Sequence, residues 1–110
     1  MTIVHTVQGR RILVAVNGDL DLTSAAPLRD ALDELLERYR DKALVLDLSD
    51  VEFIDSSGLG VILGRFRKMG DRPFSLVGVR PSVKAVLELA GITDLLPVTD
   101  ATRSVVKDQR

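Results

Sequence analysis

Three times along this chain a short apolar run breaks at polar residues and passes into a stretch with helical spacing. Ile12, Val14 and Val16 alternate as a half-buried strand does, and Asn17-Gly18-Asp19 ends that run. Leu28, Ala31, Leu32, Leu35, Leu36 and Tyr39 follow at spacings of three and four. They predict one apolar stripe on a helix capped by Thr23 or Ser24, with Arg29, Asp30, Asp33, Glu34 and Arg40 on the opposite face. Residues 43–48 are nearly all apolar, the pattern of a strand covered on both faces. A second helix is expected to begin near Ser57, with Leu59, Ile62, Leu63 and Phe66 buried against Val45, Leu46 and Leu48. Residues 74–79 form the third such run. Pro81 then opens a helix whose inward side is Val83, Val86, Leu87 and Ala90, with Gly91 suited to its left-handed end. Residues 95–98 read as a last short strand, and Asp100 as the cap of a final short helix carrying Val105 and Val106.

Strands alternating with helices imply right-handed crossovers and parallel pairing. Residues 3–7 also alternate, and the turn Gln8-Gly9-Arg10 joins them to the next strand as an antiparallel hairpin. The expected fold is therefore α/β: a mostly parallel four- to five-stranded sheet, an antiparallel N-terminal strand and about four helices. With no linker, repeat or low-complexity segment in 110 residues, the chain reads as one domain, residues 1–110.

Several functions are disfavoured by composition. A chain this short leaves little interior for a deep substrate cavity. Fifteen basic and sixteen acidic residues give a net charge of −1, so nothing draws the whole molecule to nucleic acid or anionic lipid. The cluster Arg65, Arg67, Lys68 and Arg72 lacks the aromatic residues that stack on bases, and reads as a solvated helix face and the loop after it. There are no cysteines, which removes disulfides, thiolate metal sites and a cysteine nucleophile together. The first ten residues hold no apolar signal core, and the longest run of apolar residues and glycine, 58–64, is far short of the roughly 20 residues that span a bilayer. The reading is a cytoplasmic protein with no membrane contact and no cofactor, metal or catalytic residue.

Rival chemistries fall short on particular residues. The only histidine, His5, lies in the first strand, and no Gly-x-Ser-x-Gly elbow places a base beside a serine. Gly58, Gly60 and Gly64 after a strand resemble a dinucleotide loop. The third glycine comes one place too late, no acidic residue ends the next strand, and Asp55 would repel a pyrophosphate.

One segment carries a message. Asp55-Ser56-Ser57-Gly58 falls where a buried strand and loop give way to a helix. A helix N-terminus presents unpaired N–H groups and partial positive charge, so it favours anions, including a phosphate carried on a side chain. Such a sequence is also a good plain cap, and only one of its polar groups is needed for that; if Ser56 spends its hydroxyl there, Ser57, one position into the helix, points outward and is free.

The stretch from Val45 to Phe66, with Asp55-Ser56-Ser57-Gly58-Leu59-Gly60 at its centre, resembles the signature of STAS-domain anti-sigma-factor antagonists. Gly18-Asp19-Leu20-Asp21, with Thr23 and Ala25-Ala26-Pro27-Leu28-Arg29, resembles the family's other shared segment, Asp19 standing where the family usually has Glu. The resemblance covers nearly the whole chain, and the element order agrees. It implies a non-enzymatic switch that binds an anti-sigma factor, itself a serine protein kinase, and so frees a sigma factor for transcription. It implies phosphorylation of the second serine, Ser57, as the signal that ends binding. It makes Asp19, Asp21, Thr23, Asp55, Ser56, Ser57 and Gly58 the partner-binding rim of a monomer or weak dimer. The alternative is a STAS module that binds partners or serves as a scaffold without phosphorylation.

Overall fold

The computed structural model describes residues 1–100. The chain opens with a hairpin, β1 (Thr2–Gln8) and β2 (Arg11–Asn17), and continues with α1 (Leu22–Arg38), β3 (Ala43–Asp50), α2 (Ser56–Met69), β4 (Phe74–Val79), α3 (Pro81–Leu89), a 3-10 turn (Ile92–Asp94) and β5 (Val98–Asp100). Gly9 takes φ 62°, the positive value that a tight hairpin turn requires at its first central position. The strands form one sheet in the order β1-β2-β3-β4-β5. β1 is antiparallel to β2, and every other neighbouring pair is parallel.

That order decides the layers. Each parallel crossover joins a strand to its immediate neighbour on the same side. Right-handed crossovers then put α1, α2 and α3 on one face of the sheet. Burial agrees: Ile12, Val14 and Val16 of β2, Leu44, Leu46 and Leu48 of β3, and Phe74, Leu76 and Val79 of β4 are all buried. They meet Leu28, Leu32, Leu35 and Leu36 from α1, Val61, Ile62 and Met69 from α2, and Val83 and Leu87 from α3 in one core.

Four expectations need correction. First, β3 is not covered on both faces by described residues. Leu44, Leu46 and Leu48 face the helices, while Val45 on the other face is only half-buried. Second, α2 sits one residue round from its expected orientation. Its apolar residues cover about half of its circumference, wider than one stripe, so two overlapping stripes compete, and the structure buries Gly58, Val61, Ile62, Arg65 and Met69. Leu59, Leu63 and Phe66 pack half-buried beside that stripe. Third, Arg65 is no solvated cation. It is only 8% exposed, with Nε 3.2 Å from Asp33 Oδ1 on α1. Lys68 Nζ lies 3.2 Å from the same oxygen. Fourth, the last strand comes later than residues 95–98, because the left-handed Gly91 (φ 78°) leads into the 3-10 turn first. Asp100 ends β5 and pairs with Lys84 at 2.8 Å. The expected final helix, with Val105 and Val106, lies outside the described residues.

Ile62 is fully buried and Leu63 is not, so truncation discriminates between the two stripes. Ile62→Ala is expected to destabilise the fold by about 2–5 kcal/mol, and Leu63→Ala by clearly less. Urea unfolding of both variants checks the order.

Candidate functional site

The chain leaves β2 at Asn17 and β3 at Asp50, and a short loop leads from each to a helix-capping aspartate, through Leu20 to Asp21 and through Ile54 to Asp55. Leu20 and Ile54 form an isolated parallel bridge between the two exits. Leu20 N–H donates to the Phe53 carbonyl at 2.9 Å, and Asp55 N–H donates to the Leu20 carbonyl at 3.1 Å. Both bridging side chains are buried. The next residue on one side is Asp21 and on the other Asp55, so the N-termini of α1 and α2 are set side by side at the C-terminal rim of the parallel strands.

Asp21, rather than Thr23 or Ser24, is the N-cap of α1. Its Oδ1 accepts from Thr23 N–H at 3.1 Å, from Ser24 N–H at 3.2 Å and from the Thr23 hydroxyl at 2.8 Å. Ser24 returns the bond, its hydroxyl oxygen accepting from Asp21 N–H at 3.0 Å, which completes a capping box. The same hydroxyl donates to the Asp19 carbonyl at 2.7 Å and so ties down the preceding loop. The Thr23 hydroxyl above all holds the Asp21 carboxyl below its ordinary pKa, helped by the two backbone N–H groups and the Ser24 hydroxyl against a smaller desolvation. A lowered folded-state pKa makes this contribution full above the usual aspartate range. It is lost only as pH falls through the lowered value.

On α2 the cap is Asp55, whose Oδ1 accepts from Ser57 N–H at 2.8 Å and Gly58 N–H at 3.3 Å. The expectation that Ser56 spends its hydroxyl on the cap is therefore corrected. Aspartate does that work, and both serine hydroxyls stay outside the cap. Ser56 is exposed and Ser57 half-buried. Gly58 is buried for a steric reason. A Cβ there would lie 2.6 Å from the Leu20 carbonyl oxygen and 2.7 Å from the Leu20 Cβ. The first turn of α2 therefore rests directly on the bridge.

All seven residues expected at the rim fall on these two adjoining segments. Asp19, Thr23 and Ser56 are exposed, Asp21, Asp55 and Ser57 are half-buried, and Gly58 is buried beneath them. Sequence reasoning missed two neighbours. Leu22, the first residue of α1, is 77% exposed, and Phe53, beside the bridge, is 51% exposed. Their signal was a break in pattern: each is a large apolar residue at the edge of a polar capping segment. The reading also missed the α3 end of the rim. Arg80 Nε donates to the Ser49 carbonyl at 2.7 Å, and the Ser82 hydroxyl donates to the Glu52 carbonyl at 3.1 Å. These bonds fasten the loop that carries Phe53. Among the described residues no group of side chains could hold a metal ion, and no helix is long and apolar enough to cross a membrane.

With this geometry in hand, comparison with known proteins is direct. The STAS domain family matches residues 2–105, so the chain belongs to that family. It is 33% identical over 91 residues to the anti-sigma F factor antagonist of Paenibacillus polymyxa, covering 81% of this chain and 78% of that one. It is 30% identical over 87 residues to the anti-sigma-B factor antagonist of Listeria monocytogenes, covering 77% and 75%. Among solved structures, an anti-sigma-factor antagonist from Mycobacterium paratuberculosis superposes with a TM-score of 0.82 at 28% identity, over 89% of this chain and 84% of the other.

Two glycines of α2 provide a matched test. Gly60 has open space where a Cβ would go, whereas Gly58 has the Leu20 backbone. Gly60→Ala is expected to leave stability unchanged or raise it by up to about 1 kcal/mol, through helix propensity. Gly58→Ala should lower it by about 1–3 kcal/mol, the usual cost of overpacking. Thermal melts of the pair check this, and equal effects would mean that α2 does not rest on Leu20.

Proposed function

We propose that this chain is an anti-sigma-factor antagonist whose rim, formed by Asp19, Asp21, Thr23, Asp55, Ser56, Ser57 and Gly58, docks on an anti-sigma factor. That partner is also a serine kinase, and its phosphorylation of Ser57 ends the association and returns the sigma factor to inhibition. In this reading the protein is a single cytoplasmic binding domain, not an enzyme. The names of the relatives support the antagonist role. The observation that supports a free acceptor here is the cap: because Asp55 satisfies the first turn of α2, neither serine hydroxyl is committed to holding the helix, and the resemblance to the family's signature selects the second of them, Ser57.

The electrostatics give the switch its direction. A neutral hydroxyl is buried by a partner at little cost once it is hydrogen-bonded. A phosphoryl group brings about −1.5 to −2 charges and three acceptor oxygens. The helix dipole favours that charge. Yet the Ser57 and Gly58 N–H groups, which would otherwise receive a phosphate, are already bonded to Asp55. Phosphate on Ser57 therefore adds its charge beside a carboxylate and takes few of the compensating bonds, so a close-packed partner must desolvate both. Like charges facing each other at an interface can cost several kcal/mol, and about 1.4 kcal/mol is tenfold in affinity.

Incubation with the anti-sigma kinase of the same genome and ATP should place one phosphate on the wild type and none on Ser57→Ala, while Ser57→Ala still binds. Ser57→Asp should bind that kinase at least tenfold more weakly by calorimetry, with a near-native melt. Phosphate on Ser57→Ala, or wild-type affinity for Ser57→Asp, would remove the switch from this residue. Tight binding with no phosphate on any variant would favour the phosphorylation-independent module.

A further inference from the structure

Among the described residues β1 is an edge strand, and none of them defends its outer side. It pairs with β2 without a break from Thr2↔Asn17 to Gln8↔Arg11. The two-residue loop makes Gln8 and Arg11 a hydrogen-bonded pair, and alternation gives Thr6, Val4 and Thr2 the remaining bonds to β2. The N–H and C=O groups of Ile3, His5 and Val7 consequently point away from the sheet. Native edges are commonly blunted by charge, proline, a bulge or short length. β1 has seven residues, Thr-Ile-Val-His-Thr-Val-Gln, with no formal charge on any aliphatic position, no proline and no bulge. The opposite edge, β5, has three residues and ends in Asp100.

The flank of this edge is self-complementary. On the helix face, a groove of about 140 Å³ between β1 and α1 is lined by Ile3, His5, Ala31, Glu34, Leu35 and Arg38. Glu34 and Arg38 sit one helical turn apart on its outer wall, paired at 3.1 Å and largely exposed. A two-fold axis at His5, which lines this groove together with Glu34 and Arg38, runs α1 antiparallel to its copy and turns Glu34 of one helix towards the Arg38 end of the other.

We propose that β1 pairs antiparallel with β1 of a second copy of this chain, about a two-fold axis at His5. Ile3 lies opposite Val7 of the second copy, and the two five-stranded sheets join into one. The contact is isologous and closes on itself, so it yields a dimer rather than a fibre. The contact is confined to one seven-residue strand and its flanking groove, a small one beside the roughly 1,200–2,000 Å² of a standard stable interface, so the proposed dimer is a weak one. The axis stands perpendicular to the sheet, so the two rims bearing Ser57 point in opposite directions and both stay open. The proposal does not depend on what those rims bind.

Sedimentation equilibrium should show the mass rising from monomer towards dimer between about 10 μM and about 1 mM, the range of weak association. Over the same range, hydrogen exchange at the Ile3, His5 and Val7 amides should slow, while the Val4 and Thr6 amides, bonded to β2, should not change. His5→Pro removes one outward N–H and no bond to β2, a position where an edge strand tolerates proline. It should abolish the mass increase without shifting the melt. Should His5→Pro fail to fold, His5→Lys sets like charges across the axis and should do the same. A monomer at every concentration overturns the proposal. So does a dimer that leaves the three outward amides unprotected, or one that persists in the folded edge variant.

Discussion

The rim depends on two backbone hydrogen bonds that Leu20 makes with the loop before α2, one to the Phe53 carbonyl and one from Asp55 N–H. They extend the sheet by one rung past the point where its register shifts, between Ala15 and Asn17 of β2. Without that rung, the exits from β2 and β3 would be independent loops, each fraying from its own helix. With it, the residues that follow, Asp21 and Asp55, are held at a fixed spacing, and each caps the helix it precedes. Leu20 and Ile54 secure the rung from below, since both side chains are buried in the core. The capping chemistry at the surface is thus indexed to hydrophobic burial one residue earlier in the chain.

That dependence explains the order of residues in Asp55-Ser56-Ser57-Gly58. Aspartate comes first because the N-cap must accept the N–H groups two and three places on. Glycine comes three places later because that position faces the Leu20 backbone, where a Cβ has no room. Between them stand two residues held by the helix on one side and open to solvent on the other. They are free of structural duty in their side chains and fixed in their backbone. A chemical signal written there changes the surface without loosening what supports it.

Much of this was legible in the sequence, and the failures have physical causes. Period-two and period-3.6 patterns gave the strands and helices, and Gly9, Pro81 and Gly91 mark the turns and ends they were expected to mark. The caps were misassigned by two or three residues at α1 and by one at α2. Asp, Ser and Thr are all good caps, and local sequence cannot say which of several neighbours takes the role. The face of α2 was misread because Leu59, Val61, Ile62 and Leu63 satisfy two helical stripes equally. The choice was made by Gly58 against Leu20, a contact 38 positions away in the chain. Arg65 was read as solvated because a basic run on a helix usually is. Only the packing of α2 on α1 brings Asp33 to it. Leu22 and Phe53 escaped notice because periodicity identifies residues that belong to a stripe, not residues that stand outside one.

The cap assignments also constrain how strongly a charge at Ser57 can act on the fold itself. A phosphate at a helix N-terminus stabilises when it captures orphan N–H groups and destabilises when it meets another anion. Here Asp55 already holds the Ser57 and Gly58 N–H groups, while the α2 dipole still points its positive end at the site. The two effects oppose each other, so the intramolecular balance stays small. An interface has no such compensation, because any partner that excludes water from the rim removes the screening that kept the phosphate and the carboxylates apart in energy. A hundredfold change in affinity requires about 2.7 kcal/mol, which desolvating one uncompensated charge readily exceeds. In the proposed switch, the same side chain that caps the helix would therefore be what makes the phosphorylated and unphosphorylated forms different to a partner.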